Sequence, residues 1–165
     1  MHKRILALFI LLALILSLVG CSAEKSFTCA ELTLTLPDGY TERERPDGAN
    51  MLLSDGSNTV TVRRLSFADA YKEGIPSGYS ASQFAELFLE RSELEGTLHS
   101  YKSTPYYTYY TTREGVRLFC LASFYRTPYS YFIIVFATRA ELEEKGREVY
   151  FRAIESVRVE IVEEA

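Results

Sequence analysis

Tyr131-Phe132-Ile133-Ile134-Val135-Phe136-Ala137 is apolar at every position. A strand with one face in water alternates apolar and polar residues, whereas a strand covered on both faces reads as an unbroken apolar run. The segment therefore predicts a central strand with something packed on each side of it. Downstream, Thr138 and Glu141 stand at the spacing of a capping box, which predicts a helix running to about Glu155. Leu142, Val149, Tyr150, Ala153 and Ile154 recur at helical spacing and make its buried stripe. Gly146 in the middle costs about 1 kcal/mol relative to alanine, so it predicts a close approach to the sheet.

Upstream, residues 106–112 and 116–125 read as two more strands of a meander, joined at Arg113-Glu114-Gly115. Ser80 and Gln83 form a second capping box, Tyr79 and Phe84 fit a hydrophobic staple, and Phe84, Leu87 and Phe88 share one helical face. Gly96 reads as the residue that ends this helix. Residues 50–54 and 59–65 make a hairpin around Asp55-Gly56, with Val60 and Val62 inward. Residues 67–74 fit one helical turn, and 40–44 a short charged edge strand. Leu32, Leu34 and Leu36 alternate with Thr33 and Thr35, a half-buried strand, followed by the turn Pro37-Asp38-Gly39. Val157, Val159 and Ile161 predict a last short strand before the acidic tail 163–165. These elements define an α+β fold, with a mainly antiparallel sheet of about six or seven strands and helices packed on both faces. They form one domain over 30–162, with no internal repeat.

The Leu-Pro-Asp-Gly-Tyr segment at 36–40 resembles the opening of the PsbP-like α/β/α sandwich family. The all-apolar strand followed by a helix carrying Phe151, Ile154 and Ser156 is similar to that family as well. The resemblance implies a sandwich fold and brings no catalytic residues with it. Nor does the photosynthetic role of the family's namesake follow, because fold does not fix function.

At the start of the chain, His2-Lys3-Arg4 precedes a run from Ile5 to Val19 that is apolar except for Ser17. It ends in Leu18-Val19-Gly20-Cys21, which resembles the lipobox of bacterial lipoproteins at all four positions. The resemblance implies cleavage between Gly20 and Cys21, so that 1–20 is a signal peptide and the Cys21 thiol carries a diacylglyceryl group. The apolar run is shorter than the roughly 20 residues a membrane-crossing helix needs, whereas two acyl chains suffice for stable anchoring. The predicted location is the outer face of the cytoplasmic membrane, or the outer membrane in a cell that has one. Residues 21–29 are expected to be the lipidated cysteine and a short tether, Ser22 to Ser26 forming a polar spacer that keeps the domain beside the bilayer.

Removing Lys3 and Arg4 from the 18 basic residues leaves 16 against 22 acidic ones, a net charge of −6. Such a balance argues against nucleic acid, whose phosphates demand a basic surface. Of the remaining cysteines, Cys120 is in phase with the inward set Val116, Leu118, Ala122 and Phe124, and Cys29 with the outward set Glu31, Thr33 and Thr35. A disulfide between them and two free thiols are both open, and the opposed phases favour free thiols.

His99 is the one histidine after Cys21, so neither a usual zinc set nor a serine triad is indicated. Glu141, Glu143 and Glu144 sit where a helix start favours acids, and no glycine-rich phosphate loop follows a strand. No catalytic, metal or cofactor site is predicted. Tyrosine is the remaining signal: Tyr106, Tyr107, Tyr109 and Tyr110 crowd one strand. They read either as cross-strand aromatic packing or as an aromatic platform for a peptide, glycan or envelope protein. The favoured function is a non-enzymatic binding or accessory module of an envelope complex. The alternatives are an extracytoplasmic enzyme or enzyme inhibitor, and a membrane-proximal spacer.

Overall fold

Residues 23–92, 94 and 96–160 are described by the computed structural model. Gly20, Cys21 and the tail 163–165 lie outside the described residues. The apolar run at 131–137 occupies β9 (Ser130–Arg139), the middle strand of a seven-stranded antiparallel sheet. On one side of it stand β5 (Thr59–Ser66), β4 (Met51–Ser54) and β3 (Thr41–Glu42). On the other stand β8 (Val116–Arg126), β7 (Thr104–Arg113) and β6 (His99–Tyr101).

Both faces of β9 are covered. Phe132, Ile134 and Phe136 join Val60, Val62, Phe119 and Leu121 in one core. That core is closed by the helix α3 (Glu143–Ser156), through Tyr150, Ala153 and Ile154, and by a second, three-stranded sheet. Tyr131 and Ile133 join Ala122, Phe124 and Leu65 in the other core, under the helices α1 (Phe67–Lys72) and α2 (Ala81–Arg91). Helices on both faces of an antiparallel sheet are the architecture the sequence predicts.

α2 starts where its capping box indicates: Ser80 Oγ accepts from the Gln83 N–H at 3.2 Å, and Gln83 Oε1 accepts from the Ser80 N–H at 2.9 Å. From its first turn Phe84 stacks on Tyr131, with ring centroids 4.4 Å apart. The helix ends at Arg91 with Ser92 as its C-cap, three residues earlier than a C′ glycine at 96 predicts. Gly96 instead packs beside β7, where a Cβ would stand at ordinary contact distance, 3.5 Å from the Thr108 carbonyl oxygen and 3.6 Å from the Tyr107 ring.

Thr138 does not cap α3. It is held extended in β9 opposite Phe119, its hydroxyl buried without a hydrogen-bond partner among the described residues, and a short 3-10 turn, Ala140–Leu142, intervenes. Neither Arg139 nor Leu142 makes a side-chain capping bond, and Leu142 is exposed rather than part of the buried stripe. Gly146 does mark a close approach, since a Cβ there would meet Thr138 Cγ2 at 2.8 Å.

The largest departure is at the start of the domain. Residues 24–29, expected as tether, form β1 (Glu24–Cys29), which pairs antiparallel with β2 (Leu32–Pro37). With β10 (Arg158–Val159) they make the smaller sheet, in the order β1-β2-β10. The phase assigned to Cys29 fails for the same reason. A two-residue turn at Ala30-Glu31, with Ala30 at φ 51°, interrupts the alternation and sets Cys29 opposite Leu32. Directly opposed residues of a pair share a face, so Cys29 points inward and is buried. Cys120 is also buried and free, and it alternates with Phe119 and Leu121 on the far face of β8.

Candidate functional site

The four tyrosines of β7 alternate between the two layers, as strand geometry requires. Tyr106 is half-buried on the α3 side, where its ring meets Phe151 edge-on at 5.3 Å. Tyr107 is 1% exposed on the α2 side, its ring stacked on Phe124 at 5.8 Å, and burial pushes its phenol up to about 12. Tyr109 lies beside it at 5.4 Å, half-buried, with its pKa raised by burial and then by the neighbouring Cys120. Tyr110 is 47% exposed. Its hydroxyl donates to Glu143 of α3, and the Arg117 guanidinium lies 4.5 Å above its ring. The structure therefore does not gather Tyr106, Tyr107, Tyr109 and Tyr110 onto one open platform. The half of β7 next to β6 lies between the helix layers and packs as core, and only the half from Tyr110 onward emerges.

A second polar cluster was not anticipated. Glu31 is 4% exposed in the β1–β2 turn, and it accepts from the Thr127 hydroxyl at 2.8 Å and from Arg64 Nε at 3.1 Å. Burial would raise the Glu31 pKa. Hydrogen bonds from its own backbone and from the Thr127 hydroxyl, with the Arg64 charge, outweigh that, and the carboxyl sits below the usual glutamate range. Thr127 in turn accepts the Ser130 N–H at 2.9 Å, so the cluster ties the small sheet to the β8–β9 turn and to β5. Every bond of the carboxylate is spent on the fold, which makes this a clamp. The sequence pattern sets Glu31 outward because the Ala30-Glu31 turn carries no glycine or proline to announce a break in phase.

A groove of about 490 Å³ runs between α3 and the turns at Asp38 and Asp55, with Lys145 and Gly146 on the helix side. Asp55 does not offer a free carboxylate there. Its Oδ1 accepts from the Ser57 and Asn58 N–H groups at 2.8 and 2.7 Å, and its Oδ2 from Asn58 Nδ2 at 2.7 Å. His99 is exposed on β6 with its ring 5.6 Å from Tyr106. Glu141 pairs with Arg139 at 3.8 Å and Glu143 with Arg147 at 2.8 Å, while Glu144 is exposed. Among the described residues no three His, Cys, Asp or Glu side chains stand together to hold a metal, and no helix is long and apolar enough to cross a membrane.

Solved structures share this arrangement of elements. A protein of Bacteroides thetaiotaomicron superposes with a TM-score of 0.58 at 11% identity, over 86% of this chain and 49% of its own, so the chain spans about half of that protein. The cyanobacterial PsbP protein CyanoP of Synechocystis gives a TM-score of 0.52 at 13% identity, over 86% of this chain and 95% of CyanoP. The Ran-binding protein Mog1p of Saccharomyces cerevisiae gives 0.50 at 11% identity, over 83% of this chain and 94% of Mog1p. Neither a protein-family profile nor a curated protein sequence matches the chain. The fold is the PsbP/Mog1-like α+β sandwich, as the Leu36–Tyr40 resemblance implies.

Proposed function

We propose that this chain is an extracytoplasmic lipoprotein, cut before Cys21 and acylated on its thiol, whose domain acts as a non-enzymatic binding or accessory module of an envelope complex. One observation carries the reading: the lipobox-like Leu18-Val19-Gly20-Cys21 stands three residues before Glu24, where β1 starts. Three extended residues reach about 10 Å, so an acylated Cys21 would hold the folded domain directly against the headgroups. With β1 beginning so early, the spacer is shorter than composition alone implies. A binding role has a precedent in this fold, since yeast Mog1p is a Ran-binding protein. Neither Ran nor any other partner follows from a likeness of fold.

The test is metabolic labelling with an alkyne fatty acid in a bacterial host, comparing the wild type with Cys21→Ser, followed by membrane fractionation. The reading requires label and membrane retention in the wild type and the loss of both in the variant. Equal labelling of the two proteins would remove the anchor. Crosslinking of the membrane-held protein to its neighbours then tests the accessory role, and a domain that captures none in any condition would count against it.

A further inference from the structure

The outer edge of β7 is unpaired over most of its length. β6 pairs with it only from Thr104 to Tyr106, although β7 continues to Arg113. Two tight turns independently determine which backbone groups face outward. Lys102-Ser103 and Glu114-Gly115 are both two-residue hairpin turns with positive φ, the form that suits tight hairpins. The pair flanking such a turn is hydrogen-bonded. Tyr101 with Thr104 closes the first, so Thr104, Tyr106, Thr108, Tyr110 and Thr112 present N–H and C=O away from β8. Arg113 with Val116 closes the second, so Arg113, Thr111, Tyr109 and Tyr107 bond to β8, in agreement. Gly96 lies near the Thr108 carbonyl, which leaves the backbone groups of Tyr110 and Thr112 facing outward, and no strand of the described residues pairs with them.

Open edges invite pairing and are normally blunted by charges, proline, bulges or short length. The opposite edge of the sheet follows that rule: β3 has two residues and runs into Arg43-Glu44-Arg45-Pro46. The exposed part of β7 carries no proline, lysine or bulge, and its register with β8 is continuous. Its end carries two arginines against one acid, Glu114, on a chain of net charge −4. Arg113 and Arg117 flank it, and neither forms an ion pair among the described residues.

We infer that this edge is a binding site for an extended acidic peptide segment of a partner protein, added to the sheet as an eighth strand. The Tyr110 and Thr112 backbone supplies the pairing, and Arg113 and Arg117 select carboxylates. The inference gives the partner of the binding module a chemistry and is independent of the lipid anchor, so failure of one leaves the other standing.

The test uses the full chain in detergent, with hydrogen exchange read at single residues. The probe is a fluorescein-labelled ten-residue peptide of alternating valine and glutamate, compared with its valine–lysine counterpart. In the free protein the Tyr110 and Thr112 amides should exchange fast while those of Thr111 and Arg113 are protected, and the glutamate peptide should slow the first pair. The lysine peptide should bind at least roughly tenfold more weakly, since it replaces charge-assisted arginine–carboxylate bonds with like-charge contacts. Thr112→Pro, which removes an outward N–H, should abolish binding with the melting temperature unchanged. Arg117→Glu should weaken the glutamate peptide similarly and covers the case in which the proline variant misfolds. Equal binding of both peptides overturns the inference, as does protection of Tyr110 and Thr112 without any peptide. Protection that grows with protein concentration alone would show instead that a second copy occupies the edge.

Discussion

Replacing Gly146 by alanine sets two well-defined effects against each other. In an ordinary helix interior the change stabilises by about 1 kcal/mol through helix propensity. Here the added Cβ would lie 2.8 Å from Thr138 Cγ2 and 3.3 Å from the Tyr150 ring, whereas carbon atoms prefer about 3.5–4.0 Å. Relieving that overlap means moving α3 off β9 by roughly 0.7 Å or forcing Thr138 out of its rotamer. Overpacking of this kind costs about 1–3 kcal/mol. The net expectation is a loss of about 1 kcal/mol, which lowers a urea midpoint by roughly 0.5 M for a slope near 2 kcal/mol/M. Thr138→Ser removes the offending methyl and keeps the hydroxyl, so Gly146→Ala should become neutral or stabilising in that background. Equilibrium urea unfolding of the two single variants and the double variant measures the coupling directly. A higher midpoint for Gly146→Ala with Thr138 intact would refute the close packing of α3 on the sheet.

Three further outcomes are expected. Glu31→Gln leaves Arg64 without its counter-charge and should cost about 2 kcal/mol at pH 7. Because the folded Glu31 pKa is depressed, its contribution is complete above the unfolded value and is lost as pH falls through the folded one. The variant's stability should therefore fall less steeply than the wild type's below pH ~4, as chemical denaturation across pH would record. Ser80→Ala removes one half of the capping box and should cost about 1 kcal/mol, visible as a lower melting temperature. Cys29 and Cys120, both buried, with thiol pKa values raised mainly by burial, should resist iodoacetamide in the native protein. Both should be alkylated in guanidinium without any reductant, which intact-mass measurement will show.

The parts of the fold that were legible are those in which one local signal determines the outcome. An unbroken apolar run can be satisfied only in the middle of a covered sheet, so 131–137 announced the centre of the sandwich. Ser80 and Gln83 satisfy each other's backbone within one turn, so the start of α2 could be read from four residues. What was hidden depends on partners distant in sequence. The Ala30-Glu31 turn has no glycine to mark its positive φ, and missing it reversed Cys29 and concealed both β1 and the Glu31 clamp. Thr138 and Glu141 have capping-box spacing, yet pairing with Phe119 in β8 holds Thr138 extended. The tyrosines of β7 were visible as a cluster, but only the layers above and below the strand separate Tyr107 in the core from Tyr110 at the rim.

The small sheet also has a mechanical aspect. Glu24 lies beside Pro37 at one end of β2, and Val159 beside Leu32 at the other. Tension between a lipid held at Cys21 and a body attached beyond Glu160 would pull β1 and β10 in opposite directions along their lengths. Cross-strand bonds loaded in this shear geometry carry the force together instead of opening one after another like a zipper. The Ser156 hydroxyl, bonded to the Thr35 N–H at 2.8 Å, adds a rivet where β10, with only two paired residues, is thinnest. A domain strung this way would transmit a pull from the bilayer without unravelling at the end that is held.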